Sequence, residues 1–207
     1  MLKIWGRRTS SNVQKVMWAV AELALPHERI DLGGPFGGNR EPAYQARNPN
    51  GLVPTLEDND LVVWESNTIV RYLAGRYGPG ALEPADLKTR ALASQWMDWQ
   101  LSVVGPAISP AFWGLIRTPP EARDLAAIAA SRRKTSEALA IFDAALGRQP
   151  YAAGPAFSMG DIPLGVMAYR FYQLVPDAPP LPNLGRWYGL IASRPAFVEQ
   201  VSSIPLQ

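Results

Sequence analysis

The chain has 207 residues, 47% of them hydrophobic and 18% charged, with a formal net charge of +2. That composition fits a water-soluble folded chain of one large or two small domains, and excludes disorder, collagen and membrane-span classes. With no cysteine and a single histidine, it also excludes thiol nucleophiles, disulfides, iron–sulfur clusters, thiolate zinc sites and multi-histidine metal centres, so no metal is expected.

The N-terminus, Met-Leu-Lys-Ile-Trp, reaches a charge too early for a signal peptide. No apolar run approaches the roughly 18 residues of a spanning helix, so the expected location is the cytoplasm, with no membrane partner. Residues 2–5 read as a short strand, and residues 13–24 repeat apolar side chains at helical spacing behind the cap candidates Ser10, Ser11 and Asn12. Residues 27–32 alternate as a second strand. His27, in a Leu-Pro-His-Glu stretch with no Gly-x-Ser-x-Gly elbow in the chain, reads as a strand-edge residue rather than a catalytic base. A Gly-rich loop follows at 33–38, and a short helix fits 41–47. Residues 53–57 and 61–64 flank the turn Asp58-Asn59-Asp60 as a hairpin. Ser66 then caps a helix that ends at Tyr77-Gly78.

The order β-α-β-α-β-β-α over residues 1–78 makes a small mixed-sheet α/β domain. Residues 78–84 form a linker rich in Gly and Pro. Helical patterns over about 85–117, 121–147, 160–174 and 183–202 make residues 85–207 an all-helical bundle domain. Basic residues such as Arg7-Arg8 and Arg132-Arg133-Lys134 are scattered without aromatic interleaving, which argues against a nucleic-acid partner.

Three short stretches carry chemistry. Arg8-Thr9-Ser10-Ser11-Asn12-Val13 gathers hydroxyls where free N–H groups and a helix dipole favour an anion, although on this motif alone helix capping is the better account of these residue types. Asn48-Pro49-Asn50-Gly51-Leu52-Val53-Pro54-Thr55 opens a strand on proline, and unaided it reads as a trans strand start. Trp64-Glu65-Ser66-Asn67 pairs a carboxylate, which suits an ammonium group, with a helix start, which suits a carboxylate ligand.

In this order, Ser-x-x-x-x-Lys-Val, Asn-Pro-x-Gly-x-Val-Pro-x-Leu and Glu-Ser-x-x-Ile-x-x-Tyr-Leu resemble the soluble glutathione S-transferase family. The resemblance continues through Phe157-Ser158-Met159-Gly160-Asp161-Ile162, Trp187-Tyr188 and Arg194-Pro195-Ala196. Ser158 and Asp161 have the Ser-x-x-acid spacing of a capping box, and Pro163 is expected to distort the first turn behind it. The resemblance implies a thioredoxin-like first domain followed by the helical bundle, and glutathione as cosubstrate with no further cofactor. It also implies a cis Val53-Pro54 bond, with Leu52, Val53 and Pro54 pairing the cysteinyl part of glutathione. Glu65 and Ser66 would hold the γ-glutamyl ammonium and carboxylate, and a homodimer is expected.

By the same resemblance Ser10 turns its hydroxyl to the sulfur, with Ser11 and Thr9 as neighbouring alternatives. Asn12 stands where many serine-type members carry proline, as in a bacterial branch whose asparagine also approaches the sulfur. The missing cysteine thus agrees with the hydroxyl-type branch, in which glutathione brings the thiol. The second substrate would lie between the domains, with Phe112 and Trp113, beyond the helix-bending Pro106 and Pro110, as pocket wall. Phe36 either lines the groove or lies in solvent. Arg132, on an apolar helix phase, suggests an anion contact at the domain interface or a simple ion pair, whereas Trp96 and Trp99 read as core or domain interface. The expected activity is transfer of glutathione to an electrophilic small molecule, a detoxifying role. A glutathione-dependent disulfide reductase or peroxidase is the first alternative, and a non-catalytic interaction module the second.

Overall fold

A computed structural model describes all residues, 1–207. Strand β1 (Leu2–Trp5) buries Leu2 and Ile4 and is followed by helix α1 (Ser11–Glu22), whose residues 13–20 are all buried. Strand β2 (His27–Ile30) pairs parallel to β1, a short helix α2 (Pro42–Gln45) follows, and β3 (Thr55–Asp58) and β4 (Leu61–Trp64) form the hairpin. The sheet order is β2-β1-β3-β4, with β3 antiparallel to both β1 and β4.

Register decides where the three motifs meet. Trp5 pairs with Thr55, and Thr55 with Trp64, so the segments leaving β1, entering β3 and leaving β4 all emerge at the same end of the sheet. The Gly6–Asn12, Asn48–Pro54 and Glu65–Ser66 stretches are therefore neighbours by topology.

Helix α3 (Ser66–Tyr77) packs on α1. Its N-terminal flanking residue is Glu65 at φ 72, and Ser66 is the first helical residue, which corrects the expectation that Ser66 caps the helix. Glu65 thereby holds a left-handed backbone that few non-glycine residues adopt.

The second half runs from α4 (Leu87–Trp99) through a π turn (Gln100–Val104) into α5 (Gly105–Phe112) and a second π turn (Trp113–Arg117). Pro106 and Pro110 were expected to bend or end this helix, yet it continues to Arg117. The wide turn uses an i→i−5 bond from the Gly105 N–H to the Gln100 carbonyl, and Pro106, which has no N–H to give, follows directly on this turn as the second residue of α5. Pro110 lies inside α5 without a donor, and beside it the Ser131 hydroxyl of the long helix that follows accepts from the Ala111 N–H and donates to the Ala107 carbonyl.

Helices α6 (Leu125–Leu146), α7 (Asp161–Leu174), α8 (Pro182–Ala192) and α9 (Pro195–Phe197) complete the bundle, the last running into a π turn at Val198–Ser202. Trp96 and Trp99 pack on Phe142, which meets Trp187 in turn, so both tryptophans, themselves half-buried, lie against the core rather than in a substrate site.

The Asp161 carboxylate, fully buried, accepts from the Ala152 and Ser158 N–H groups, the Ser158 hydroxyl and the Trp187 indole. The reciprocal half of the expected capping box is altered: the Ser158 hydroxyl oxygen accepts from the Gly160 N–H rather than that of Asp161. Pro163 distorts nothing, because it is the third residue of α7, where the N–H has no intrahelical partner in any case.

One hydrophobic cluster joins the two halves, from Leu2 and Ile4 of the sheet to Trp187 and Val201 of the bundle. Trp18 of α1 stacks edge-on to Phe197, and Glu22 of α1 takes a two-pronged pair of bonds from Arg194, at 2.7 and 2.6 Å.

Candidate glutathione groove

Ser10 occupies the N-cap position of α1, but its hydroxyl makes no capping bond and its residue is 9% exposed. Capping therefore does not explain this serine. Its carbonyl, by contrast, is used conventionally by the Gln14 N–H. Thr9, Ser10, Ser11 and Asn12 line one wall of a groove of about 360 Å³, opposite Gly51, Leu52 and Val53. A narrower recess continues it, lined by Asn12, Leu52, Val53, Pro54, Glu65 and Ser66. Asn12 sits at the junction, where its side-chain carbonyl accepts from the Ser66 hydroxyl at 3.3 Å.

The middle wall is a loop with its backbone held from behind. The Asn48 amide donates to the Leu52 carbonyl and to the Thr55 hydroxyl, the Tyr44 hydroxyl donates to the same Leu52 carbonyl at 2.6 Å, and the Asn39 amide holds Gly51. The Val53-Pro54 bond is cis. The N–H and carbonyl of Val53 bond to nothing within the chain, so they present one free donor and one free acceptor to an extended ligand.

Beneath this surface lies a buried cation. Lys15, one turn along α1 from Ser11, is 1% exposed and donates to the Gln100 side-chain oxygen at 2.9 Å. Burial, with the charge of Arg170 adding to it and that of Glu65 opposing it, brings its amine down to about 7.

The first domain matches the family model described as glutathione S-transferase, N-terminal domain, over residues 1–75, and residues 104–195 match that of the C-terminal domain. The chain is 43% identical to glutathione S-transferase GstB of Escherichia coli K12, with all of both chains aligned. The chain belongs to the glutathione S-transferase family. Among solved structures, the theta class glutathione S-transferase of Xanthomonas axonopodis pv. citri, with glutathione bound, superposes at a TM-score of 0.95 and 48% identity, covering 100% of this chain and 99% of that one. Glutathione S-transferase 3 of Zea mays is 30% identical over 99% of this chain and 95% of its own.

Within this glutathione S-transferase the sequence-selected residues divide. Ser10, Ser11, Asn12, Leu52, Val53, Pro54, Glu65 and Ser66 converge on the groove and its recess, and Phe112 and Trp113 form its apolar wall. Two do not converge. Phe36, in a tight turn at Gly34–Phe36, is 58% exposed, because Gly33 and Gly34 take the groove-facing positions and turn the ring to solvent. Arg132 neither binds at the domain interface nor forms an ion pair. Its Nε donates at 2.7 Å to the carbonyl of Leu174, the last residue of α7, where a cation suits the helix C-terminus.

Other lining residues escaped the sequence reading. Arg7, Asn39, Arg117 and Arg170 line the groove, and Lys15 with Gln100 lies under it. A lone arginine in the otherwise apolar stretch Val166-Met167-Ala168-Tyr169-Arg170-Phe171 was the available signal for Arg170.

Proposed function

We propose that this glutathione transferase binds glutathione extended along the groove. The γ-glutamyl end lies at Glu65 and Ser66, the cysteinyl backbone pairs with Val53, and the sulfur faces Ser10. The thiolate displaces a leaving group from an electrophilic carbon: the C–S bond forms as the bond to the leaving group breaks and departs with its electron pair, the thiol proton having already passed to solvent. The observation that carries this reading is the Ser10 hydroxyl, sited at a helix start, lining the groove and unused as a cap.

The energetics are adequate. A free thiol titrates near 8.5, and lowering it by about two units needs about 2.7 kcal/mol of preference for the anion. A hydroxyl bond to a charged acceptor contributes roughly 1.5–3 kcal/mol and a helix N-terminus roughly 0.3–1 kcal/mol. No metal or further cofactor has a part in this scheme. The deciding experiment follows the ultraviolet absorbance of bound glutathione thiolate against pH alongside conjugation of 1-chloro-2,4-dinitrobenzene. A bound thiol that titrates where the free one does removes Ser10 and Asn12 from the mechanism.

The reading extends to a homodimer in the cytoplasm, the compartment whose glutathione pool the reaction draws on, and to a detoxifying role. Exposed Leu61, Val62 and Trp64 on β4 support self-association, and sedimentation of the purified protein would reveal it. The reductase or peroxidase alternative would use the same Asn12, whose side-chain oxygen, not its amide N–H groups, bonds to Ser66. Turnover of a disulfide or hydroperoxide without conjugation would select that alternative.

A further inference from the structure

The end of the groove formed by the helical half carries a charge pattern that conjugation alone does not call for. Arg117 and Arg170 line it beside Phe112, Trp113, Ser109 and Gln207, Arg7 reaches it from the first domain, and no aspartate or glutamate lines the groove. The arginine ion pairs of the protein all belong to other residues. Arg170 is 7% exposed, and its Nε, like that of Arg7, is buried with no hydrogen-bond partner. Its guanidinium stands 4.2 Å from the centre of the Phe112 ring, with that of Arg117 5.9 Å from the same ring.

The three cations repel one another. Burial first, then the charges of Arg117 and Arg7, lower Arg170 to about 10, and Arg117 adds to the effect of burial on Arg7. Guanidinium groups withdrawn from water without a counter-charge are costly, and a planar fork of donors matches a carboxylate. An aromatic face satisfies none of those N–H groups.

Glutathione has carboxylates of its own, so the arginines must be divided. The γ-glutamyl carboxylate is assigned to the distant Ser66. Arg7 lies against Gly33 and Gly34, its side chain 2.9 Å from where a Cβ on Gly34 would stand, on the wall from the first domain, and we leave it to the glycine end of the tripeptide. Arg117 and Arg170 come from the helical half and share the Phe112 ring.

We propose that the electrophile of this enzyme bears a carboxylate, held by Arg117 and Arg170 while its apolar body lies on Phe112 and Trp113. This deepens, and rests on, the conjugation reading above. In the reaction the carboxylate is a handle only; sulfur bonds to the carbon that loses halide, and the carboxylate leaves with the product unchanged.

The test uses glutathione-saturated protein and two matched pairs of probes. Unreactive 3-nitrobenzoate and 3-nitrobenzamide report binding by calorimetry, and 4-chloro-3-nitrobenzoate and its amide report turnover. The benzoate should bind about tenfold tighter than the amide or better, as expected of a charge-assisted bond, and added salt should narrow the gap. Arg117→Gln, at an exposed position, should remove most of that preference. Arg170→Gln should do the same and Arg170→Lys restore part of it; should the buried Arg170 variants fail to fold, Arg117→Gln decides. Equal binding of benzoate and amide overturns the proposal, as does an Arg117→Gln protein whose only defect is a raised KM for glutathione. Selective benzoate binding with no turnover of either chloro compound upholds the anion site and sinks conjugation. Turnover without any preference for the anion does the reverse.

Discussion

A serine at a helix start can satisfy the helix or face outward, and Ser10 does the second. Replacing it by alanine therefore costs little folding energy and falls on chemistry. Ser10→Ala should raise the pKa of bound glutathione by about 1 to 2 units and lower kcat near neutral pH about 10- to 100-fold, with KM for glutathione little changed. Stopped-flow conjugation and thiolate absorbance check this, and Ser11→Ala should do markedly less; the reverse order would move the sulfur contact to Ser11. Lys15 gives a prediction with a pH signature. Its folded-state pKa of about 7 lies below the 10.5 of a lysine in water, so between those values the unfolded chain holds a proton that the folded chain has released. Stability therefore rises with pH across that window and is lowest below it. Lys15→Met should be more favourable, relative to wild type, at pH 6 than at pH 9 by roughly 2 to 3 kcal/mol. Urea unfolding at both pH values tests it, and a pH-independent difference refutes it.

Most elements were legible in the sequence because their apolar spacing is local information: β1, α1, the hairpin and the long helices lie within a few residues of where periodicity puts them. What escaped depends on partners far along the chain. Arg132 reads as an intruder on an apolar face because its acceptor, the end of α7, is 42 residues away. The cations beneath the groove are invisible to a pattern that scores charge as surface. The π turns escape because Pro106 and Pro110 look like stops when only α-helical bonding is considered. Small residues are the converse case, bland in sequence and decisive in packing. Gly165 of α7 lies where α7 meets α1, and a Cβ there would stand 2.6 Å from the indole of Trp18, itself 0% exposed. Helix propensity alone favours Gly165→Ala by about 1 kcal/mol. Overpacking against a ring with nowhere to go should win, for a net loss of about 1 to 3 kcal/mol. A thermal midpoint equal to or above that of wild type would show that the α1–α7 contact yields.

At the scale of the molecule, the sequence suggests two units joined by a linker, whereas the core is shared. Trp18 and Val20 of the first half lie in the same cluster as Phe197 and Ile191 of the second, and Glu22 and Arg194 clamp the seam. A chain of this size commonly unfolds through intermediates. Here the common core predicts coincident transitions, followed by far-ultraviolet dichroism for helix and by tryptophan fluorescence for packing. Residues 1–78 expressed alone should fail to fold, because α1 would expose its inward face; two separated transitions would show that the halves are independent.

The π turn at Gln100–Val104 takes up one extra residue without passing its rotation on to the helix that follows, and that helix carries Ser109 and Phe112 to the groove, with Trp113 just beyond them. A single deletion there would close the turn to α-helical bonding and leave those side chains facing the groove, whereas the same deletion in the regular part of the helix would turn everything beyond it by roughly 100°, while the Ser10–Asn12 wall, on another element, stayed in place. Chain length along one helix is therefore an adjustment separate from amino-acid identity. A one-residue change of length in this helix outside the turn would re-aim the apolar wall and leave the Ser10–Asn12 wall as it is, whereas the turn itself absorbs such a change.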